Sequence, residues 1–237
     1  QNAYLSEIRR VGAETKDRVL RSVFFGGGTP SMMDADLVDA IITQIRATWP
    51  LANDIEITLE ANPTSVEAGR FRGYREAGVN RISLGIQALN DPDLKALGRL
   101  HTTKEAMAAF DVARNAFERV SFDLIYARQG QSVKAWEKEL TTALGLAIDH
   151  LSLYQLTIET GTAFGDRYAA GKLRGLPNDD LAADMYDLTQ SVCENKGFPS
   201  YEVSNHSKPG SESIHTKIYW QNGDNVGNGT AAHGRET

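Results

Sequence analysis

Short apolar runs recur along this chain at Ser22–Phe25, Ile55–Glu60, Arg81–Gly85, Val120–Ile125 and His150–Gln155, each parted from the next by a longer stretch with helical spacing. Leu37, Ile41 and Ile45 fall every four residues, and Phe71 and Tyr74 lie one turn apart. Ala106, Phe110 and Ala113 continue the pattern, as do Trp136, Leu140 and Leu144, the spacing of helices with one apolar face. Parallel strands need a crossover of about a dozen residues or more, usually a helix, so this alternation predicts an α/β fold with a parallel sheet. Several such units in succession favour a partial (β/α) barrel, with an open doubly wound sheet as the alternative.

The alternation starts and stops abruptly. Tyr4–Ile8 already reads as a helix, so a preceding strand is expected upstream and residues 1–160 form a barrel core lacking its first strand. Beyond about Gly161 the pattern fails. A polar connection, one strong helix from Asp179 to about Asn195 and a Tyr/Val/Trp-bearing stretch ending at His233 make residues 161–237 an incomplete mixed α/β extension.

Net charge is −6 and no Lys/Arg block occurs, so neither nucleic acid nor an anionic membrane surface is an expected partner. No apolar run approaches the ~20 residues of a membrane helix, so no integral span is expected. Cys193 is the only cysteine; it excludes an internal disulfide and suits a reducing compartment, here the cytoplasm.

The run Val23–Val38, "VFFGGGTPSMMDADLV", ends a strand in consecutive glycines. Gly26, Gly27 and Gly28 permit positive φ and bring a ligand close to the backbone. Freed N–H groups beside a helix start favour an anionic or carboxylate-bearing ligand. Thr29 adds a hydroxyl, Pro30 fixes the exit direction, and Asp34 and Asp36 are placed to cap the next helix. A tight turn that binds nothing is the plainer alternative. Polar residues fall at the same topological position on later strands: Glu60 in "EITLEANP", Gln87 after "RISLGIQ" and Asp123 inside "VSFDLIY". Strand C-termini converge on the ligand crevice of parallel β/α folds, so these groups with the glycine loop point to a small polar ligand. Taken singly, each fits a turn or a satisfied core carboxylate.

These residues carry a resemblance. "FFGGGTPS", "EITLEANP", "GVNRISLGIQALND…LKALGRLH", "FDLIYARQGQS" and "HLSLYQLTIETGT" resemble, in order, the radical S-adenosylmethionine (SAM) proteins related to oxygen-independent coproporphyrinogen III oxidase. The tail "HTKIYWQNGDNVGNGTAAHG" is similar to the heme chaperone HemW branch, although Ser213-Ile214, Thr216, Asn228, Thr230 and Ala231 depart from its pattern, as Gln129 does upstream. The resemblance implies a partial barrel that binds SAM against a [4Fe–4S] cluster. It implies that Gly27, Gly28 and Thr29 contact the methionine moiety, that Glu60 and Arg99 serve SAM recognition, and that Gln87 and Asp123 lie near the ribose. Some branches divide such residues between two SAM molecules. Thr157 falls at a further contact position, and His215 at the histidine proposed to serve heme.

The residue types suit SAM: backbone amides with Arg99 for its carboxylate, Glu60 for its ammonium, Asp123 and Gln87 for ribose hydroxyls. The family holds its cluster through closely spaced cysteines, since cluster ligation needs several thiolates. The only cysteine here lies in the extension's helix, so the cysteine loop is expected upstream of residue 1, with a cysteine-free pseudoenzyme as the alternative. His101, His150 and His206 read as solvated residues of loops or strand edges, while His215 and His233 could ligate heme or a metal.

Two functions follow from the resemblance. One is a heme chaperone that keeps a SAM-binding scaffold and passes heme to an acceptor protein. The other is an oxidoreductase of porphyrin biosynthesis acting on coproporphyrinogen propionates. A β/α barrel with a phosphate-binding glycine loop is a third reading.

Overall fold

The computed structural model describes residues 1–229 and 232–235; Thr230 and Ala231 of the tail lie outside them. In chain order the elements are α1 (Asn2–Thr15), β1 (Leu20–Phe25), a 3-10 turn (Pro30–Met32), α2 (Ala35–Thr48), β2 (Leu51–Ala61), α3 (Ser65–Ala68), α4 (Phe71–Ala77) and β3 (Arg81–Gln87). There follow α5 (Asp91–Ala96), α6 (Thr103–Ala116), β4 (Arg119–Tyr126), α7 (Val133–Leu146), β5 (His150–Gln155), α8 (Ala163–Ala169), α9 (Asp179–Asn195), β6 (Asn205–Ser207) and α10 (Ile214–Trp220). Every strand expected from the sequence is present, most of them a residue or more longer. The strands order in one sheet as β1-β2-β3-β4-β5-β6, so each helical segment up to β5 serves as a crossover between neighbours.

Compactness divides the chain into one unit of Gln1–Gly85, Lys104–Val120 and Glu212–Thr237 and another of Ile86–Thr103 and Ser121–Ser211. Residues beyond 160 are thus shared between both. In the first unit β1 and β2 pair in parallel, with Ser22 opposite Glu56 and Phe24 opposite Thr58, and β2 pairs with β3, Glu60 opposite Ser83. Ile8 and Val11 of α1 pack on Ile41, Ile45 and Trp49, with Leu20, Val23 and Phe25 of β1 against them. Phe71 and Tyr74, fully buried, explain the helical spacing read around α4.

In the second unit β4 and β5 pair in parallel, Asp123 opposite Ser152, and β6 closes on β5 in antiparallel fashion. Trp136 stacks on Tyr126 at 5.2 Å between ring centroids, and its indole N–H donates to Thr189 Oγ1 on α9 at 2.8 Å. That bond satisfies the one polar atom of a buried aromatic.

Some expectations need correction. His101, His150 and His206 are not solvated; their exposures are 7%, 1% and 0%. A nitrogen of His101 lies 3.1 Å from Ile86 O and one of His150 lies 2.7 Å from Tyr201 Oη, while the His206 ring is packed within the unit and desolvation lowers its pKa. Asp34 occupies the N-cap position of α2 without a side-chain capping bond. Asn90 caps α5, its Oδ1 accepting from the Asp93 N–H at 2.9 Å.

Candidate functional site

Beyond β1 the glycines differ in what they do. Gly27 and Gly28 adopt φ of 74° and 57°, a left-handed backbone that other residues enter at a cost. Nothing lies within 4 Å of where a Cβ would stand on either, and both residues are exposed. Gly26 is required by close approach instead: a Cβ there would lie 2.6 Å from Phe24 Cε1 and 3.3 Å from Glu60 Oε2. The Gly27 N–H donates to Glu60 Oε2 at 3.3 Å. Burial raises the pKa of Glu60, and this one backbone bond only partly offsets the effect. A carboxylate so desolvated gains most from an arriving cation or added donors.

The loop's exit is clamped. Glu67 accepts from the Ser31 hydroxyl and from the Asn62 N–H, the latter at 2.9 Å. Tyr74 Oη donates to the carbonyls of Ser31 at 2.8 Å and Met33 at 2.6 Å, and Arg70 donates to that of Met32 at 2.6 Å. Thr29, half-buried, heads the 3-10 turn. The loop is thus fixed at its exit, while Gly26, Gly27 and Gly28 themselves are exposed.

Other expected residues lie in the second unit. Gln87 donates to Asp123 Oδ2 at 2.6 Å, and its φ of 74° is strained for a residue with a side chain. Arg99 follows α5, and its buried Nε has no hydrogen-bond partner among the described residues, which fits an arginine awaiting an anionic group. Thr157 is exposed, with its hydroxyl donating to Gln155 O at 3.2 Å. The structure thus joins Gly27 to Glu60 in one unit and Gln87 to Asp123 in the other.

His215 sits on α10 in the first unit. Its ring stacks on Phe24 with centroids 4.3 Å apart and planes 13° from parallel, and meets the edge of Tyr219 at 4.8 Å. No described residue hydrogen-bonds its ring nitrogens. Burial pushes its pKa down to about 4, with Arg81 acting in the same direction and Glu56 against it, so the imidazole is neutral near pH 7. Sequence reasoning missed what holds it. Glu56, 3% exposed, accepts from Arg119 at 2.9 Å on one oxygen. Its other oxygen accepts from Ser213 Oγ at 3.1 Å and the His215 N–H at 3.3 Å. The available signal was a glutamate between Ile55 and Ile57 in a parallel strand, where both faces are covered and a charge needs partners. His233 is exposed.

The donor set does not fit an iron–sulfur cluster. Cys193 is buried and its thiol is pushed up to about 12 by desolvation, and no described residues form a group of three or more potential metal ligands. In the first unit the exposed Gly27–Gly28 turn beside the desolvated Glu60 fits a ligand that brings a cation or further donors, such as an ammonium; in the second unit the unpartnered Arg99 Nε fits an anionic group. No helix of the described residues is long and apolar enough to cross a membrane.

The family model described as "Radical SAM superfamily" matches residues 3–143. The chain is 42% identical over 236 residues to the mouse "Radical S-adenosyl methionine domain-containing protein 1, mitochondrial", covering 99% of this chain and 53% of that protein. It is 39% identical over 234 residues to the Escherichia coli "Heme chaperone HemW", covering 98% and 61%, and 36% identical over 235 residues to the Bacillus subtilis protein of that name, covering 98% and 62%. The chain therefore spans about half to three-fifths of the length of these relatives. Its fold is similar to the structure described as "Coproporphyrinogen III oxidase (HemN) from Escherichia coli is a Radical SAM enzyme", with a TM-score of 0.75 at 22% identity over 93% of this chain and 50% of that one. That likeness bears out the partial (β/α) barrel over the open sheet.

Proposed function

Because the chain belongs to the radical SAM superfamily, we propose that it is the greater part of a heme chaperone: a scaffold that binds SAM and handles heme as cargo for an acceptor protein. The observation that carries this reading is His215, a neutral imidazole with unengaged ring nitrogens, packed between Phe24 and Tyr219. A neutral imidazole is the form that ligates heme iron. Tyr219 and Trp220, 49% and 59% exposed, supply flat apolar surface beside it. The names of the E. coli and B. subtilis relatives support the same reading.

For SAM, the amides of Gly27 and Gly28 with the Thr29 hydroxyl take the methionine end, Glu60 accepts from its ammonium, and Arg99 serves its carboxylate. Gln87 holds Asp123 for the ribose hydroxyls, and Thr157 adds a peripheral contact. When bound beside a reduced cluster, SAM supplies one-electron chemistry. In this reading the cluster's ligands lie outside residues 1–237. A single buried cysteine suits a reducing compartment, either the cytoplasm or that of the mouse relative named mitochondrial.

The test is heme titration of the full-length protein. A stoichiometric Soret shift that His215→Ala loses is the expected result. Failure to bind heme, together with anaerobic turnover of coproporphyrinogen III, would instead establish the oxidoreductase reading.

A further inference from the structure

Phe24 touches both parts of the first unit to which a ligand is assigned above. Its Cδ1–Cε1 edge lies so close to Gly26 that a Cβ there would sit 2.9 Å and 2.6 Å from those atoms. Its face carries the His215 imidazole at 4.3 Å, nearly parallel. A change in the tilt of the ring therefore bears on the glycine loop at its edge and on the imidazole at its face. On one side the loop is exposed and tied only lightly, by the 3.3 Å bond from Gly27 to Glu60. On the other, α10 has no fully buried residue beyond its cap; it rests on β1 through this stack and is tied to β2 by the Glu56 bonds.

We propose that Phe24 is a positioning residue shared by the two sites. A ligand that orders the glycine loop fixes the Phe24 ring and with it the His215 imidazole, so SAM and a metal tetrapyrrole on His215 bind with positive cooperativity. The physical basis is that the ordering cost is met once: the first ligand immobilises the loop, ring and imidazole, and the second finds them already fixed. The coupling is reciprocal by linkage. The inference rests on the SAM and heme assignments above and adds that the two are not independent.

The experiment titrates heme, followed by its Soret band, into the full-length cluster-loaded protein with and without saturating SAM. Heme should bind about fivefold more tightly with SAM present, the lower end of typical allosteric couplings, and SAM should gain by the same factor when heme is bound. Phe24→Leu, which keeps apolar bulk but removes the flat ring, should bring that ratio to about one, whereas Phe24→Tyr should keep it. General damage to the fold weakens both affinities without changing their ratio. A ratio of one in the unaltered protein overturns the proposal whether or not the leucine variant folds, as does a ratio that survives in Phe24→Leu. Absence of either SAM or heme binding in the unaltered protein refutes the parent assignment and this inference with it, an outcome distinct from two ligands binding independently.

Discussion

Glu56→Gln is the most informative single change in the first unit, because it keeps shape and volume while removing a charge on which α10 depends. Arg119 donates to one Glu56 oxygen, and Ser213 Oγ and the His215 N–H donate to the other. Arg119 and the His215 N–H can only donate, so a glutamine amide must turn its NH2 towards one of them and lose that bond, while the Ser213 hydroxyl can reverse and accept. Charge-assisted hydrogen bonds contribute about 1.5–3 kcal/mol each. Arg119 is 28% exposed on its side chain, so water reaches it and part of the loss is recovered. A net cost of ~3 kcal/mol is the expectation, roughly a hundredfold in an opening equilibrium. The loss should be local, since none of Ile214–Trp220 is fully buried. Hydrogen exchange resolved over α10 is therefore the assay. Its amides should exchange on the order of a hundredfold faster in Glu56→Gln while those of α2 and β2 hold. Unchanged exchange in α10 would refute the claim that Glu56 docks it.

Further outcomes follow from the same geometry. Gly26→Ala drives a Cβ into Phe24 and should abolish SAM binding, whereas Gly27→Ala meets open space and should cost only ~1–2 kcal/mol of left-handed strain; calorimetric SAM affinities of the two variants check this. Gln87→Gly relieves the strain of φ 74° but removes the bond to Asp123, so SAM affinity should fall while the denaturant midpoint stays or rises. His215 titrates at about 4 in the folded chain against an ordinary 6.5, so between those values the unfolded state holds the extra proton. Stability from this group is complete above pH ~6.5 and drains away as pH falls towards 4. His206, lowered by burial as well, adds to that trend, and His215→Phe should flatten the acid side of the stability profile.

Much of the fold was legible because period and burial agree. Ile41 and Ile45, Phe110 and Ala113, Trp136 and Leu140 are buried where helical spacing put them. The histidines were misread because spacing reports a face, not how deeply it is covered: His150 begins β5 and His206 lies in β6, and the pairing of those strands buries both. β6 itself, only three residues long, leaves no periodic trace. The glycine loop could be read because its backbone need is specific to glycine. Glu56, Arg119 and Ser213 could not, since their meeting joins positions far apart in the chain and no local pattern encodes it. Glu67, which locks the loop's exit, is silent for the same reason.

The central claim is that the loop Gly26–Gly28 and Glu60 form a cradle for SAM. Isothermal titration of SAM into the full-length cluster-loaded protein tests it most directly. The account predicts saturable binding that weakens in Glu60→Ala and vanishes in Gly26→Ala. Undiminished binding in both variants, or no heat from the unaltered protein, would contradict it.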